Sequence, residues 1–157
     1  MIDIVDKKTR SRMMAAIKGK DTKGELLIRK ALHKRGYRYR LHCKELPGRP
    51  DLVFAKYNAV IFVNGCFWHG HNCDLFKWPK TRPEFWRKKI SGNRERDAKN
   101  IRILSEKGWR YCILWECIFR GAKKKSIEEL LKTITAWLSS SKIKLELSGY
   151  DISNSGS

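Results

Sequence analysis

Asp51 stands directly after the turn Leu46-Pro47-Gly48-Arg49-Pro50 and opens the short apolar run Leu52-Val53-Phe54. A carboxylate at the start of a strand is exposed to a substrate and can hold Mg2+ through oxygen. The competing reading is an aspartate that merely closes a turn. Two features favour the metal. A turn at Lys56-Tyr57-Asn58 and a second strand, Ala59-Val60-Ile61-Phe62-Val63, follow, so the hairpin suits a cation held on adjacent strands. That second strand also runs straight into a loop dense in His, Cys and aromatic residues. It ends on Val63-Asn64, with no Asp, Glu or Lys. Backbone oxygen and water would have to complete the metal's shell.

The loop carries Cys66-Phe67-Trp68-His69-Gly70-His71-Asn72-Cys73. His71 and Cys73 are close enough to share one ion, and Cys66 could join them once the loop folds back. Thiolate and imidazole ligands select Zn2+, which is four-coordinate when structural. The fourth ligand must come from elsewhere. Cys117 is preferred over Cys43 and Cys112, because Cys112 falls at an apolar position inside a strand. The alternative is a set of buried free thiols. His69 could take a proton from water near neutral pH. Glu25 could orient it if the fold brings the two together. His69 could instead be a fourth zinc ligand or an ordinary loop histidine.

Phe67 and Trp68 are adjacent aromatics in that loop. Core packing is the default, yet two consecutive loop residues rarely both point inward. Apolar wedges are a known means of kinking or opening a duplex. Met14, on a basic N-terminal segment, is a weaker wedge candidate. Basic residues bracket the site: Arg38, Arg40, Lys44 and Arg49 before Asp51, then Lys77, Lys80 and Arg82, then Arg87, Lys88, Lys89, Arg94 and Arg96. Together they could grip phosphates.

These residues need a scaffold. The chain has 157 residues, enough for one domain with a single core. Lys and Arg number 35 against 16 Asp and Glu, a formal charge of +19. Such an excess repels itself in a compact chain, and nucleic acid is the first anion to consider. No apolar run nears the roughly 20 residues that span a bilayer, and Met1 to Asp6 lacks a signal-peptide core. An intracellular, cytoplasmic protein without a membrane partner is expected. Five Cys then read as metal ligands or buried thiols rather than disulfides.

Residues 1–20 read as a basic arm or helix, residues 21–150 as one domain, and residues 151–157 as a disordered tail. Asp21 or Thr22 can cap a helix running to about Arg35, with Leu26, Leu27, Ala31 and Leu32 inward and Glu25 at the edge of that face. Residues 37–41 alternate as a strand would. Thr81-Arg82-Pro83-Glu84 looks like a capping box, and residues 94–107 look helical. Trp109 to Trp115 is a further strand. Ser126 caps an amphipathic helix whose inner face is Ile127, Leu130, Leu131, Ile134, Trp137 and Leu138. Strands alternating with helices give an α/β fold, a mixed sheet flanked by helices.

At this point a resemblance becomes visible. Leu46-Pro47-Gly48-Arg49-Pro50-Asp51, Val60-Ile61-Phe62, Gly65-Cys66-Phe67-Trp68-His69 and Cys73-Asp74-Leu75-Phe76-Lys77 resemble the very-short-patch repair (Vsr) endonucleases. So do Thr81-Arg82-Pro83-Glu84-Phe85-Trp86, Asn93-Arg94-Glu95-Arg96-Asp97, Gly108-Trp109-Arg110 and Trp115-Glu116-Cys117. The likeness spans roughly residues 5 to 138. It implies a restriction-endonuclease-like fold with a structural zinc, held by Cys66, His71, Cys73 and Cys117. It implies Mg2+-dependent nicking 5′ to the T of T:G mismatches left by 5-methylcytosine deamination. Asp51 would bind the Mg2+, with Val63 offering its backbone carbonyl. His69 would be the general base, supported by Glu25. Phe67 and Trp68 would intercalate beside the mismatch, with Met14 entering from the other groove. The family commonly has His at position 64; here Asn64 cannot donate a proton at neutral pH but can hydrogen-bond a phosphate.

Two other functions compete: a restriction-type nuclease that cuts undamaged duplex, and a zinc-stabilised DNA-binding protein without catalysis. A T:G mismatch is asymmetric, so a monomer is expected on double-stranded DNA. Mismatch repair proteins could act downstream, though no segment identifies their contact.

Overall fold

The computed structural model describes residues 23–73, 75–119 and 124–149. Met14, the rest of the N-terminal segment and the C-terminal tail lie outside the described residues. Helix α1 spans Lys23–Lys34. Strands β1 (Arg40–Leu41), β2 (Leu52–Phe54) and β3 (Ala59–Asn64) follow. Helix α2 spans Pro83–Glu106, β4 Arg110–Trp115, α3 Ile127–Leu138 and β5 Lys144–Leu147.

The five strands form one mixed sheet in the order β1-β2-β3-β4-β5. β1, β2 and β3 pair antiparallel as tight connections allow. β3, β4 and β5 pair parallel, which demands crossovers, and α2 and α3 supply them. Alternation sorts the side chains onto two faces. Leu52, Phe54, Ala59, Ile61, Cys112, Leu114 and Leu147 meet Ile28 and Leu32 of α1 and Leu130, Leu131, Ile134 and Trp137 of α3. Val53 and Val60 turn the other way and meet Leu104 of α2. Ile113 and Trp115 share that second face with Cys66 and Cys117, and Ile101 of α2 packs there.

Ser126 caps α3 as its sequence suggests, its hydroxyl accepting the Glu129 N–H at 3.2 Å. Four local expectations fail. The strand over 37–41 shortens to two residues at the sheet edge. α1 is rotated by about one position from the expected face: Ile28 is buried and Leu27 is 43% exposed. No capping box forms, because Arg82 takes a left-handed φ of 52° and Pro83 starts the helix without a side-chain cap. The helix expected over 94–107 instead begins at Pro83 and is continuous for 24 residues.

Candidate active site

The site gathers where β2 begins and β3 and β4 end. The Asp51 N–H bonds the Ile61 carbonyl at 3.0 Å, holding the start of β2 against β3. The Val63 N–H donates to Asp51 Oδ2 at 2.7 Å. Asp51 is thus fixed against the end of β3, one residue from Asn64. Buried Glu25 reaches the same place from α1. Its Oε2 lies 2.8 Å from His42 Nε2 and accepts from Arg29 Nη1 at 2.9 Å. His42 Nε2 stands 3.8 Å from Asp51 Oδ1. One ligand atom from each of Glu25, His42 and Asp51 lies within 4.8 Å of the others. Two buried carboxylates side by side are stable only with positive charge between or beside them, so this donor set fits a divalent cation. The second carboxylate that seemed missing on the hairpin comes from a helix.

His69 sits elsewhere than its expected support. The sequence reading sets Glu25 behind it, whereas Glu25 contacts Arg29 and His42. His69 Nδ1 bonds the carboxylate of Asp97, on α2. That contact fixes which ring nitrogen carries the proton.

The loop bearing His69 is gripped from α2. Asn93 Nδ2 donates to the Trp68 carbonyl at 2.8 Å, and Arg94 Nε to the His69 carbonyl at 3.1 Å. A second Arg94 nitrogen donates to the Gly70 carbonyl. Ile90, Asn93, Arg94, Asp97 and Ile101 are spaced at i, i+3, i+4, i+7 and i+11, one stripe of the helix. Gly70 allows the close approach: its φ is +61°, and a Cβ there would stand 2.7 Å from Ile90 Cγ2.

Below the loop lie the four expected zinc ligands. One atom each from Cys66, His71, Cys73 and Cys117 falls within 4.8 Å of the rest. Cys66 Sγ is 3.4 Å from His71 Nδ1, and Cys117 Sγ is 3.7 Å from it. Around a tetrahedral zinc, sulfur and nitrogen ligands sit about 3.6 Å apart, so the arrangement fits the ion. The Cys117 N–H points at Cys66 Sγ (3.3 Å) and the Gly149 N–H at Cys117 Sγ (3.4 Å), donors that suit thiolates. Burial pushes the Cys66 thiol well above its ordinary range and raises the Cys117 thiol as well. Cys43 and Cys112 are buried in the core clusters and take no part. The His71 ring stacks on Trp115, centroids 4.2 Å apart and 8° from parallel.

Phe67 and Trp68 are half-buried and pack with Trp86 of α2 at 5.3 and 5.9 Å. Phe76 closes on Phe67 at 6.0 Å. Trp86, Asp97 and His42 are site residues that the sequence reading gave no role. Trp86 and Asp97 stood inside recognisable motif segments; His42 carried no local signal.

The basic groups divide. Arg94 is spent on loop carbonyls, Arg96 on Asn93, Arg40 on Glu45, and Arg38 on backbone oxygens of His33 and Tyr37. Lys44, Arg49, Lys77, Lys80, Arg87, Lys88 and Lys89 are exposed to differing degrees. Among the described residues no helix is long and apolar enough to cross a membrane.

Comparison with known proteins places the chain in a family. A family model described as DNA mismatch endonuclease Vsr matches residues 2–75. The chain is 47% identical over 138 residues to DNA mismatch endonuclease Vsr of Escherichia coli, covering 88% of each. It is 44% identical over 117 residues to Type II nicking enzyme V.XorIIP of Xanthomonas oryzae pv. oryzae, covering 74% of this chain and 86% of that one. It is also 44% identical over 117 residues to Type II nicking enzyme V.NmeAIP of Neisseria meningitidis, covering 74% and 84%.

Proposed function

The chain belongs to the DNA mismatch endonuclease Vsr family, and on that premise we propose that it nicks double-stranded DNA 5′ to the T of T:G mismatches. The sheet is read as restriction-endonuclease-like. The observation that carries the mechanism is the convergence of Asp51, the His69–Asp97 pair and the aromatic group of Phe67, Trp68 and Trp86 around one loop.

Asp51 would hold Mg2+ together with the backbone carbonyl of Val63, whose N–H already bonds the Asp51 carboxylate. That ion supplies Lewis-acid stabilisation of charge on the scissile phosphate's oxygens. His69 keeps Nδ1 on Asp97, so Nε2 accepts the proton of the attacking water. The Asp97 carboxylate then faces the positive ring that results. Glu25 acts through the Asp51 cluster rather than behind His69. Asn64 hydrogen-bonds the phosphate and donates no proton. Phe67 and Trp68, backed by Trp86, wedge into the stack. A T:G pair costs less to unstack than a normal pair, so the wedge itself favours mismatches. Met14 would enter from the other groove. The exposed lysines and arginines neutralise phosphates and set register without reading bases.

Zinc at Cys66, His71, Cys73 and Cys117 would hold the loop's shape. A monomer suits an asymmetric lesion, and the work belongs in the cytoplasm, on the nucleoid, with mismatch repair proteins downstream. The test is strand-specific nicking of a T:G duplex against its matched counterpart in Mg2+. Preference for T:G, lost in Asp51→Ala, supports the reading. Equal cutting of matched duplex refutes mismatch specificity; binding without nicking refutes catalysis.

A further inference from the structure

We infer that His42 is itself a ligand of the cation at Asp51, and that it biases the site towards Mn2+ over Mg2+. The inference rests on Asp51 being the metal carboxylate and adds to it a nitrogen donor and a metal preference.

Three chain segments must meet to build this cluster. Glu25 comes from the first turn of α1, His42 from the residue after β1, and Asp51 from the start of β2. His42 adopts φ 46°, a left-handed conformation uncommon outside Gly, though His tolerates it better than most residues. The His42 N–H donates to the Asp51 carbonyl at 3.0 Å, so the strained residue is anchored to the segment it faces. Strain of this kind persists where the surroundings enforce it and gathers at functional sites. Its result is an imidazole Nε2 at 2.8 Å from one buried carboxylate and 3.8 Å from another.

The spacing is that of a coordination shell. Adjacent ligands on bonds of about 2.1 Å sit about 3 Å apart, and opposed ligands about 4.2 Å. All three ligand atoms here lie within 4.8 Å of one another. The carboxylate of Asp51 is oriented for it, since Oδ2 is held by Val63 and Oδ1 is the oxygen nearest His42. When a cation enters, it takes the place of the proton between Nε2 and Glu25. Two carboxylates and a neutral imidazole, with the Arg29 guanidinium on Glu25, still leave a net negative charge that draws a cation in.

Ligand chemistry then decides which ion. Mg2+ is a hard ion that demands oxygen and keeps its water. Mn2+ shares the taste of Mg2+ for carboxylate oxygen but, as the first member of the transition series, it tolerates an imidazole nitrogen better than Mg2+ does. A purely hydrogen-bonding His42, which only orients Glu25, would leave no nitrogen on the ion and no such preference.

Zinc-saturated protein titrated with Mn2+ distinguishes these cases by pulsed electron paramagnetic resonance, since Zn2+ is silent. The wild type should show nitrogen modulation on bound Mn2+ that changes when its histidines carry 15N, a readout needing no variant. His42→Gln should lose that modulation, and His69→Ala should keep it. Mn2+ affinity in His42→Gln should fall about tenfold or more, with Mg2+ affinity, from competition, moving less than about threefold. Absence of nitrogen modulation in the wild type, its survival in a folded His42→Gln, or an equal loss for both metals would overturn the inference. Asp51→Ala separates the two readings: it should abolish binding of both ions whatever His42 does. If it does not, the assignment of Asp51 as metal carboxylate fails instead.

Discussion

Replacing Gly70 by Ala tests how the catalytic loop is held. The residue lies between His69 and His71 with φ +61°, and an added Cβ would stand 2.7 Å from Ile90 Cγ2 and 3.0 Å from two nitrogens of Arg94. Ile90 is 1% exposed and has nowhere to go. A left-handed conformation costs an alanine about 1–2 kcal/mol. Forcing a methyl into a packed contact costs about 1–3 kcal/mol more. A total near 2–5 kcal/mol, at roughly 2–4 °C per kcal/mol for a chain of this size, lowers Tm by about 4–20 °C. Gly92, on the same α2, has no left-handed φ, and a Cβ added there would meet nothing within 4 Å. Gly92→Ala should therefore raise stability by about 0.5–1 kcal/mol. The assay is thermal unfolding of both variants with zinc saturated, followed by T:G nicking well below either midpoint. Gly70→Ala should also nick at least about tenfold more slowly, because His69 is its neighbour. If Gly70→Ala melts within a degree or two of the wild type, the contact between this loop and α2 is not what fixes it.

Asp97→Asn should keep T:G binding within about threefold while nicking falls on the order of 100-fold or more, since the amide no longer selects the right His69 tautomer; unchanged nicking in single-turnover assays refutes the pair. Zinc uptake by metal-free protein should release protons, because burial raises the Cys66 and Cys117 thiols and keeps them protonated at neutral pH. Apparent zinc affinity must then climb as pH rises through neutrality, by about one log unit per pH unit for each proton displaced. Calorimetry in buffers of different ionisation enthalpy checks this, and buffer-independent heats refute it. Asn64→His should speed nicking about tenfold or more by restoring a proton donor near the leaving oxygen; an unchanged rate would show that proton donation does not limit this enzyme.

What could be read from the sequence follows the range of the interactions. The Cys/His cluster was legible because Cys66, His71 and Cys73 lie within one short loop and Cys117 follows closely on β4. Strands β2, β3 and β4 showed as continuous apolar runs, since both faces of the sheet are covered there. α3 showed through its cap and its uninterrupted apolar face. The first half of α2 did not, because Arg87, Lys88 and Lys89 are solvated and Gly92 interrupts the pattern. β5 alternates Lys144, Leu145, Glu146 and Leu147, too short a run to stand out beside a helix end. The partners of Glu25 and His69 were out of reach for another reason. His42 lies 17 residues from Glu25, and Asp97 lies 28 from His69. Only the path of α1 and α2 across the sheet decides which carboxylate meets which imidazole.

That exchange of partners changes how the chemistry divides. On the proposed mechanism Glu25, beside His42 and Asp51, would serve the cation, and Asp97 would support His69 in proton transfer. On that mechanism the two jobs would fall to different helices, Glu25 on α1 to the metal side and Asp97 on α2 to the proton side. What couples them is the sheet. Val63 ties Asp51 to the end of β3, and the loop that follows carries His69. Trp115 of β4 meets both loop histidines, stacked on His71 at 4.2 Å and edge-on to His69 at 6.0 Å. Its indole N–H is in turn held by Glu146 of β5 at 2.7 Å. A metal at Cys66, His71, Cys73 and Cys117 would therefore do more than stabilise the chain. It would fix His71 against Trp115, and His69, two residues away, packs between that indole and Asp97. A base must sit within hydrogen-bond reach of its water to work at all, so a metal at this cluster would help decide whether His69 is held where the proposed mechanism needs it.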